Sequence, residues 1–220
     1  MLENLSNQSD PSEKQPPESR KMLFSPAMMM TVGAIQIEGG LAVFALILGY
    51  FLRVPLREKF SFELLDCIRS TFAVLPMVAF CLLIYRLPWR SVTFIRKYMA
   101  TFYRDFIRHC SVLQLLLISV LAGVGEELFF RGILQTLITR WIGGELRGTI
   151  VGILVTALFF GLAHPISKFY VVVCILTGVY LGWLFVQTNN LTIPVIVHAF
   201  YDFCIFLYFP RLMKMKKEAL

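Results

Sequence analysis

Charge is scarce in this sequence, and its scarcity excludes an ordinary water-soluble domain. Only 16% of the 220 residues are charged whereas 57% are hydrophobic, and the mean hydropathy is +0.70. A composition this apolar favours a protein that folds within a lipid bilayer. The 21 lysines and arginines flank apolar segments and form no separate basic patch, so no nucleic-acid partner is expected.

Two common cysteine and histidine patterns are also missing. The five cysteines are scattered in or beside apolar segments without a CxxC pair, which argues against disulfide frameworks and zinc clusters and indicates buried thiols. The chain has three histidines and no HExxH sequence. It therefore lacks the helical zinc-binding motif of many metallopeptidases.

The chain divides into four regions by composition. Residues 1–22 are polar and lack an apolar core, so we expect a disordered tail and no signal peptide. Residues 23–110 contain the first apolar helices and end in a basic segment, 88–110, whose interleaved aromatic and basic residues indicate a helix on the membrane surface. Residues 111–209 carry the motifs described below, and residues 210–220 form a basic C-terminal tail.

Six apolar stretches have about the length that a helix needs to cross the hydrocarbon core of a membrane. They cover residues 27–52, 70–87, 111–141, 148–164, 169–187 and 191–209. The predicted fold is therefore all-α, a polytopic integral membrane bundle of about six transmembrane helices, with seven or eight left open.

The distribution of lysine and arginine predicts how this bundle is oriented. With six spans and the N-terminus inside, the inner side carries 14 of these residues and the outer side 6. Because cytoplasmic loops carry the excess of basic residues, both termini are expected in the cytoplasm. The expected location is a bacterial cell membrane.

Three charged residues interrupt the apolar run from Ser111 to Thr139: Glu126, Glu127 and Arg131. Placing a charge at mid-bilayer costs roughly 2.5–3.5 kcal/mol, so such a cluster predicts a functional site. Glu127 and Arg131 are four residues apart, the spacing of an ion pair on one helix face. Glu126 points about 100° away from that face and is not part of the pair. The alternative is an ion-pair network that only holds helices together.

Two of the three histidines fall inside later apolar stretches. His198 lies four residues before Asp202, whose carboxylate can reach the imidazole on the same helix face. His164 ends another stretch, at a depth level with Glu126 if the two helices form a hairpin. His198 reaches this level only if the uncharged turn at 187–191 is sunk into the protein. One shared site is therefore predicted from six residues on three helices: Glu126, Glu127, Arg131, His164, His198 and Asp202.

Three segments of the sequence match known motifs. GEELFFRG is similar to the EExxxR motif, FGLAH to FxxxH, and HAFYD to HxxxN/D. Together they resemble the CPBP family of intramembrane proteases, also called the Abi or CAAX protease family, which includes the type II CAAX prenyl endopeptidases. The resemblance covers residues 111–209. Members of the family often have eight helices.

The resemblance implies a glutamate-dependent endopeptidase that acts on a hydrophobic or membrane-associated peptide. Glu126 would be the general base and His164 would share the attacking water. Glu127 and Arg131 would hold the helix and the local field. His198 with Asp202 would serve the oxyanion, although many relatives have Asn at the last position and an ionised Asp cannot donate a hydrogen bond.

Three alternatives stay open on the sequence. A divalent metal such as zinc fits if Glu126, His164 and His198 act as three ligands and leave one open position. The same fold without catalysis fits a membrane protein that binds peptides, as in immunity. Buried carboxylates also fit a proton-coupled carrier. Glu38, in the first apolar stretch, could line the cavity, but it is interpreted first as a contact between helices.

Overall fold

The computed structural model of the protein describes residues 25–217, with side-chain surroundings described as far as residue 208. The predicted polar tail, 1–22, and the last three residues lie outside the described part. Within it the chain forms helices and no strands, which confirms the all-α prediction.

Seven helices follow one another in the described part of the chain. They are α1 (Pro26–Phe51), α2 (Leu64–Arg86), α3 (Arg90–Asp105), α4 (Val112–Ile142), α5 (Leu146–Leu162), α6 (Lys168–Thr188) and α7 (Thr192–Lys217). Short 3₁₀ turns occupy Leu56–Lys59 and Ile107–His109. Two helices contain π-helical segments, Ile35–Gly39 in α1 and Leu128–Gln135 in α4.

Six of these helices correspond to the predicted apolar stretches. Among the described residues, α1, α2, α4 and α6 are long and apolar enough to cross a membrane, whereas α5 and the apolar part of α7, Thr192–Tyr208, are shorter. The remaining helix, α3, is strongly amphipathic, as the basic segment predicted. The protein is therefore an integral membrane helical bundle.

The predicted start of α2 was wrong by six residues, because two charged residues interrupt the apolar pattern before residue 70. The helix begins at Leu64 and contains a buried Asp66. The side-chain amide of Asn190 donates to Asp66 Oδ2 at 2.9 Å, and Ser70 Oγ donates to the Asp66 carbonyl at 2.7 Å. These bonds allow the helix to continue through a polar residue without leaving it unpaired.

The second half of the turn between α6 and α7 is buried in the protein at Asn190, Leu191 and Thr192, whereas Asn189 is exposed. Asn189 ends α6 in the left-handed region with φ of 47°. Asn190 Oδ1 accepts from the backbone N–H groups of Ser61 and Thr192 at 3.1 and 2.9 Å, and the N–H of Leu191 donates to the Lys59 carbonyl at 2.7 Å. The segment after α1 thus covers this turn and anchors the start of α7.

Glycine lets α4 approach α7 closely beside the motif residues. A Cβ atom at Gly123 would lie 2.9 Å from the carbonyl oxygen of Val195 and 3.0 Å from the nitrogen of Ala199. Both distances are shorter than an ordinary carbon contact. The backbone of α7 therefore lies directly against α4 next to His198.

Candidate active site

One carboxylate joins three helices behind the site. Glu127 Oε1 accepts from Arg131 Nη1 at 2.7 Å and lies 2.8 Å from His198 Nδ1. Arg131 Nη2 also donates to the carbonyl of Gly178 at 3.1 Å, which adds α6 to the contact between α4 and α7. The side chains of Glu127 and Arg131 are fully buried, so the pair predicted from the four-residue spacing is formed without solvent.

The aromatic ring of Phe160 packs against Arg131 of this ion pair and against both histidines. Its centroid lies 4.6 Å from Arg131 Cζ, a cation–π distance, and 4.9 and 5.9 Å from the ring centroids of His164 and His198. Phe160 is itself buried. The first residue of the FxxxH sequence therefore contacts residues of all three motifs.

Glu126 faces His164, as their predicted depth required. Glu126 Oε1 lies 3.8 Å from His164 Nε2, which is longer than a direct hydrogen bond and suits two groups that share a water molecule. His164 Nδ1 lies 2.8 Å from the Phe160 carbonyl. Because a carbonyl only accepts, Nδ1 carries a proton, and Nε2 of the neutral ring is an acceptor.

Both ring nitrogens of His198 face carboxylates. Nδ1 contacts Glu127, and Nε2 lies 3.6 Å from Asp202 Oδ2. The contact with Asp202 follows from the four-residue spacing. The contact with Glu127 was missed, because these residues are separated by 71 positions and no periodicity relates the rotation of α4 to that of α7.

A cavity of about 260 Å³ brings four of the six predicted residues together. Glu126, His164, His198 and Asp202 line it, and part of its wall comes from α3. Glu127 and Arg131 do not line this cavity; they lie behind it. The structure thus separates the candidate reacting groups from the ion pair that supports them.

Glu38 is a fourth carboxylate near the site; the sequence favoured a contact between helices for it over a place in the cavity lining. The π-helical segment of α1 lies against α4 at Gly125, where an added Cβ would collide with the Glu38 carbonyl. Glu38 interacts electrostatically with Glu126, His198 and His164, and its Oε2 is buried without a hydrogen-bond partner in the described residues. The sequence feature that could have indicated a place in the site is an acidic residue inside an apolar stretch.

The divalent metal left open by the sequence would need Glu126, His164 and His198 as its three ligands. No group of three His, Cys, Asp or Glu residues within the described part is arranged to hold a metal ion. His198 Nδ1 contacts Glu127, so only Nε2 is free to bind an additional ligand. The predicted set of Glu126, His164 and His198 stays a prediction.

The comparisons with known proteins agree with the motif assignment. Residues 108–204 match the family model described as "Type II CAAX prenyl endopeptidase Rce1-like". This segment contains all six predicted site residues. No curated protein and no solved structure matches the chain.

Proposed function

We propose, since residues 108–204 belong to the CAAX protease family, that the protein is an intramembrane endopeptidase whose attacking water is activated by Glu126 and His164. The observation that carries this proposal is the facing pair of Glu126 Oε1 and His164 Nε2 at 3.8 Å in the cavity. Both atoms are hydrogen-bond acceptors when Glu126 is ionised and His164 is neutral with its proton on Nδ1.

Two acceptors on one water suit hydrolysis. The water donates one proton towards Glu126 and the other towards His164, which leaves an oxygen lone pair for the peptide carbonyl. Glu126 Oε2 is buried and has no hydrogen-bond partner among the described residues, so Oε1, which faces His164, is the oxygen that acts on the water. The chain requires no serine or cysteine nucleophile for this reaction.

The proton balance assigns Glu126 two tasks. When the water oxygen bonds to the carbonyl carbon, Glu126 takes one of its protons and the carbonyl becomes an oxyanion. When the tetrahedral intermediate collapses, the bond to nitrogen breaks and Glu126 returns that proton to the leaving amine. His164 holds the water through Nε2 while the Phe160 carbonyl fixes its ring.

His198 supplies the oxyanion donor. Carboxylates at both ring nitrogens suit an imidazolium, whose Nε2–H is a charge-assisted donor. Asp202 lies 3.6 Å from this nitrogen and stabilises the positive charge of the imidazolium. During the reaction the Nε2–H group donates to the oxyanion of the substrate and not to Asp202. An ionised Asp202 cannot itself donate, so its task is to orient His198.

The substrate class that fits is a hydrophobic or membrane-associated peptide. The cavity lies among apolar helices, and Met99, Phe160 and Phe206 line it beside the four polar groups. With both termini in the cytoplasm of a bacterial cell, the side that carries α3 is cytoplasmic, and a peptide enters from that side. A prenyl group on the peptide is not required by any contact described above.

Peptide profiling of the purified protein tests the function. We expect cleavage of a subset of apolar peptides by the wild-type protein and none by Glu126→Gln, with Glu145→Gln, an exposed residue in the turn before α5, as the matched control. A peptide-binding protein would retain peptides without cleaving them. A carrier would instead move protons across vesicle membranes in a Glu126-dependent manner.

Profiling with and without a chelator tests the metal. Because the proposed mechanism uses no metal ion, we expect the same cleavage after treatment with the chelator. Loss of cleavage that zinc restores would replace this mechanism with a metal-dependent one.

A further inference from the structure

The amphipathic helix α3 presents two different faces. Val92 is buried, and Met99 and Phe102 line the candidate active-site cavity. Arg96 also points inward: it donates to the carbonyl of Leu87 at 2.9 Å and to that of Tyr85 at the end of α2. This basic residue is therefore used inside the protein, where it anchors α3 to α2.

The opposite face of α3 is a basic stripe, which we define as Arg90, Phe94, Lys97, Thr101 and Arg104. These positions follow one another at spacings of three and four residues, so they lie along one side of the helix. All five are exposed. Arg104 pairs with Asp105 at 3.0 Å, whereas Arg90 and Lys97 have no ion-pair partner in the described residues.

Aromatic side chains flank the basic stripe in the way that suits a membrane surface. Trp89, immediately before α3, is 52% exposed, and Tyr98 is 44% exposed. Aromatic residues of this kind favour the level of lipid headgroups, and basic residues on an amphipathic helix favour anionic lipids. Both chemical features occur on a helix that lies between two membrane-spanning segments, α2 and α4.

We propose that the basic stripe of α3 binds the headgroups of anionic phospholipids and that this contact holds α3 as the wall of the cavity. The same helix presents Met99 and Phe102 to the cavity and its cations to the outside, so a displacement of α3 from the membrane surface moves the cavity wall. The lipid-binding part of this inference is independent of the proposed peptidase function. It requires only the charge and exposure of α3.

The acidic N-terminal tail of the chain is an alternative binding partner for the basic stripe. The polar tail contains four acidic residues, Glu3, Asp10, Glu13 and Glu18, and on the proposed topology it lies on the same side of the membrane as α3. We favour lipid because the stripe combines its cations with exposed aromatic residues, which a polar tail does not match. The experiment below distinguishes the two.

Tryptophan quenching by brominated lipids measures the lipid next to α3. One variant keeps only Trp89 (Trp141→Phe, Trp183→Phe), and the matched control keeps only Trp141 (Trp89→Phe, Trp183→Phe), which is 88% exposed in the last turn of α4. Each is reconstituted in equal amounts of dioleoylphosphatidylglycerol and dioleoylphosphatidylcholine, with bromine on the acyl chains of one lipid or the other. We expect brominated phosphatidylglycerol to quench Trp89 about twofold more strongly than brominated phosphatidylcholine, and Trp141 equally by both.

Removing the charges completes the test. Arg90→Gln, Lys97→Gln and Arg104→Gln together should abolish the preference at Trp89. Arg140→Gln with Arg147→Gln, at the end of α4 and the start of α5, should leave it unchanged. Equal quenching of Trp89 in the intact chain would overturn the proposal, and so would a preference that survives the triple substitution. A preference that appears only after deletion of residues 1–22 would assign the stripe to the tail and would also overturn it.

Discussion

Glu127 Oε1 lies 2.8 Å from His198 Nδ1, and this contact joins the first and third motifs on the side away from the cavity. The neighbouring Glu126 instead faces His164 inside the cavity. Two adjacent glutamates thus have separate surroundings. Glu126 is proposed to take part in the reaction, whereas Glu127 holds the helices together. Substitution of Glu126 should therefore reduce activity, and substitution of Glu127 should reduce stability.

Glu126→Gln should remove turnover without unfolding the protein. The amide cannot take a proton from water, and general-base catalysis contributes about 10²–10⁴-fold to a rate. We expect kcat to fall by this amount while the melting temperature stays within error of wild type. Turnover is measured with a peptide selected by profiling, and a normal kcat would refute the role of Glu126.

Glu127→Gln should destabilise the protein. Removing one partner of a buried ion pair leaves the other charge uncompensated, at about 3–5 kcal/mol. The Arg131 guanidinium would face a neutral amide in place of a carboxylate, and His198 would lose its carboxylate on Nδ1. The melting temperature in detergent should fall well below that of Glu126→Gln, and equal values for the two variants would contradict this division of roles.

Gly123→Ala should separate α4 from α7. Its Cβ would lie 2.9 Å from the Val195 carbonyl, and overpacking of this kind costs about 1–3 kcal/mol. Both the melting temperature and kcat should fall because His198 moves with α7. Gly33→Ala is the matched control, since a Cβ there meets nothing within 4 Å; a similar loss in both variants would indicate a general effect of glycine replacement.

Asn190→Ala should impair catalysis from a distance. Its side chain bonds Ser61, Asp66 and Thr192 and so fixes the depth at which α7 begins. Losing these bonds leaves a buried Asp66 oxygen unpaired, at about 1–3 kcal/mol. Ser61→Ala is the control, because Ser61 takes part through its backbone; if both variants behave as wild type, the turn does not set the position of His198.

The proposed topology predicts where labels are accessible. Tags at residues 1 and 220 should be protected in intact cells, and Glu145→Cys, in a background without the native cysteines, should react with an impermeant thiol reagent from outside. This follows from the excess of basic residues on the side of both termini. Labelling of one tag from outside would require an odd number of spans.

Helical periodicity predicted the parts of this structure that lie along single helices. The six apolar stretches, the Glu127 and Arg131 pair, and the facing of Glu126 and His164 all follow from spacing along one helix or one hairpin. The contact between Glu127 and His198 depends on how α4 and α7 are rotated about their axes, which involves the π-helical segment after Glu127 and the close approach at Gly123. Neither feature has a periodic signature.

The surroundings of Glu38 and the start of α2 could not be predicted from periodicity either. Each involves an acidic residue whose polar neighbours lie on a distant segment: Glu126, His164 and His198 for Glu38, and Asn190 for Asp66. A single sequence marks such residues as unusual within an apolar stretch but does not identify the partner. Burial and pairing are decided by tertiary contacts.

A single turnover in water enriched in oxygen-18 tests the central claim most directly. If Glu126 activates a water that attacks the peptide bond, the new carboxyl terminus of the product gains one oxygen-18 atom in the first turnover, and the enzyme peptide that contains Glu126 gains none. Mass spectrometry of both peptides measures this. An unlabelled product from the first turnover, with the oxygen-18 in the Glu126 carboxylate instead, would mean that Glu126 attacks the substrate itself and would contradict the account.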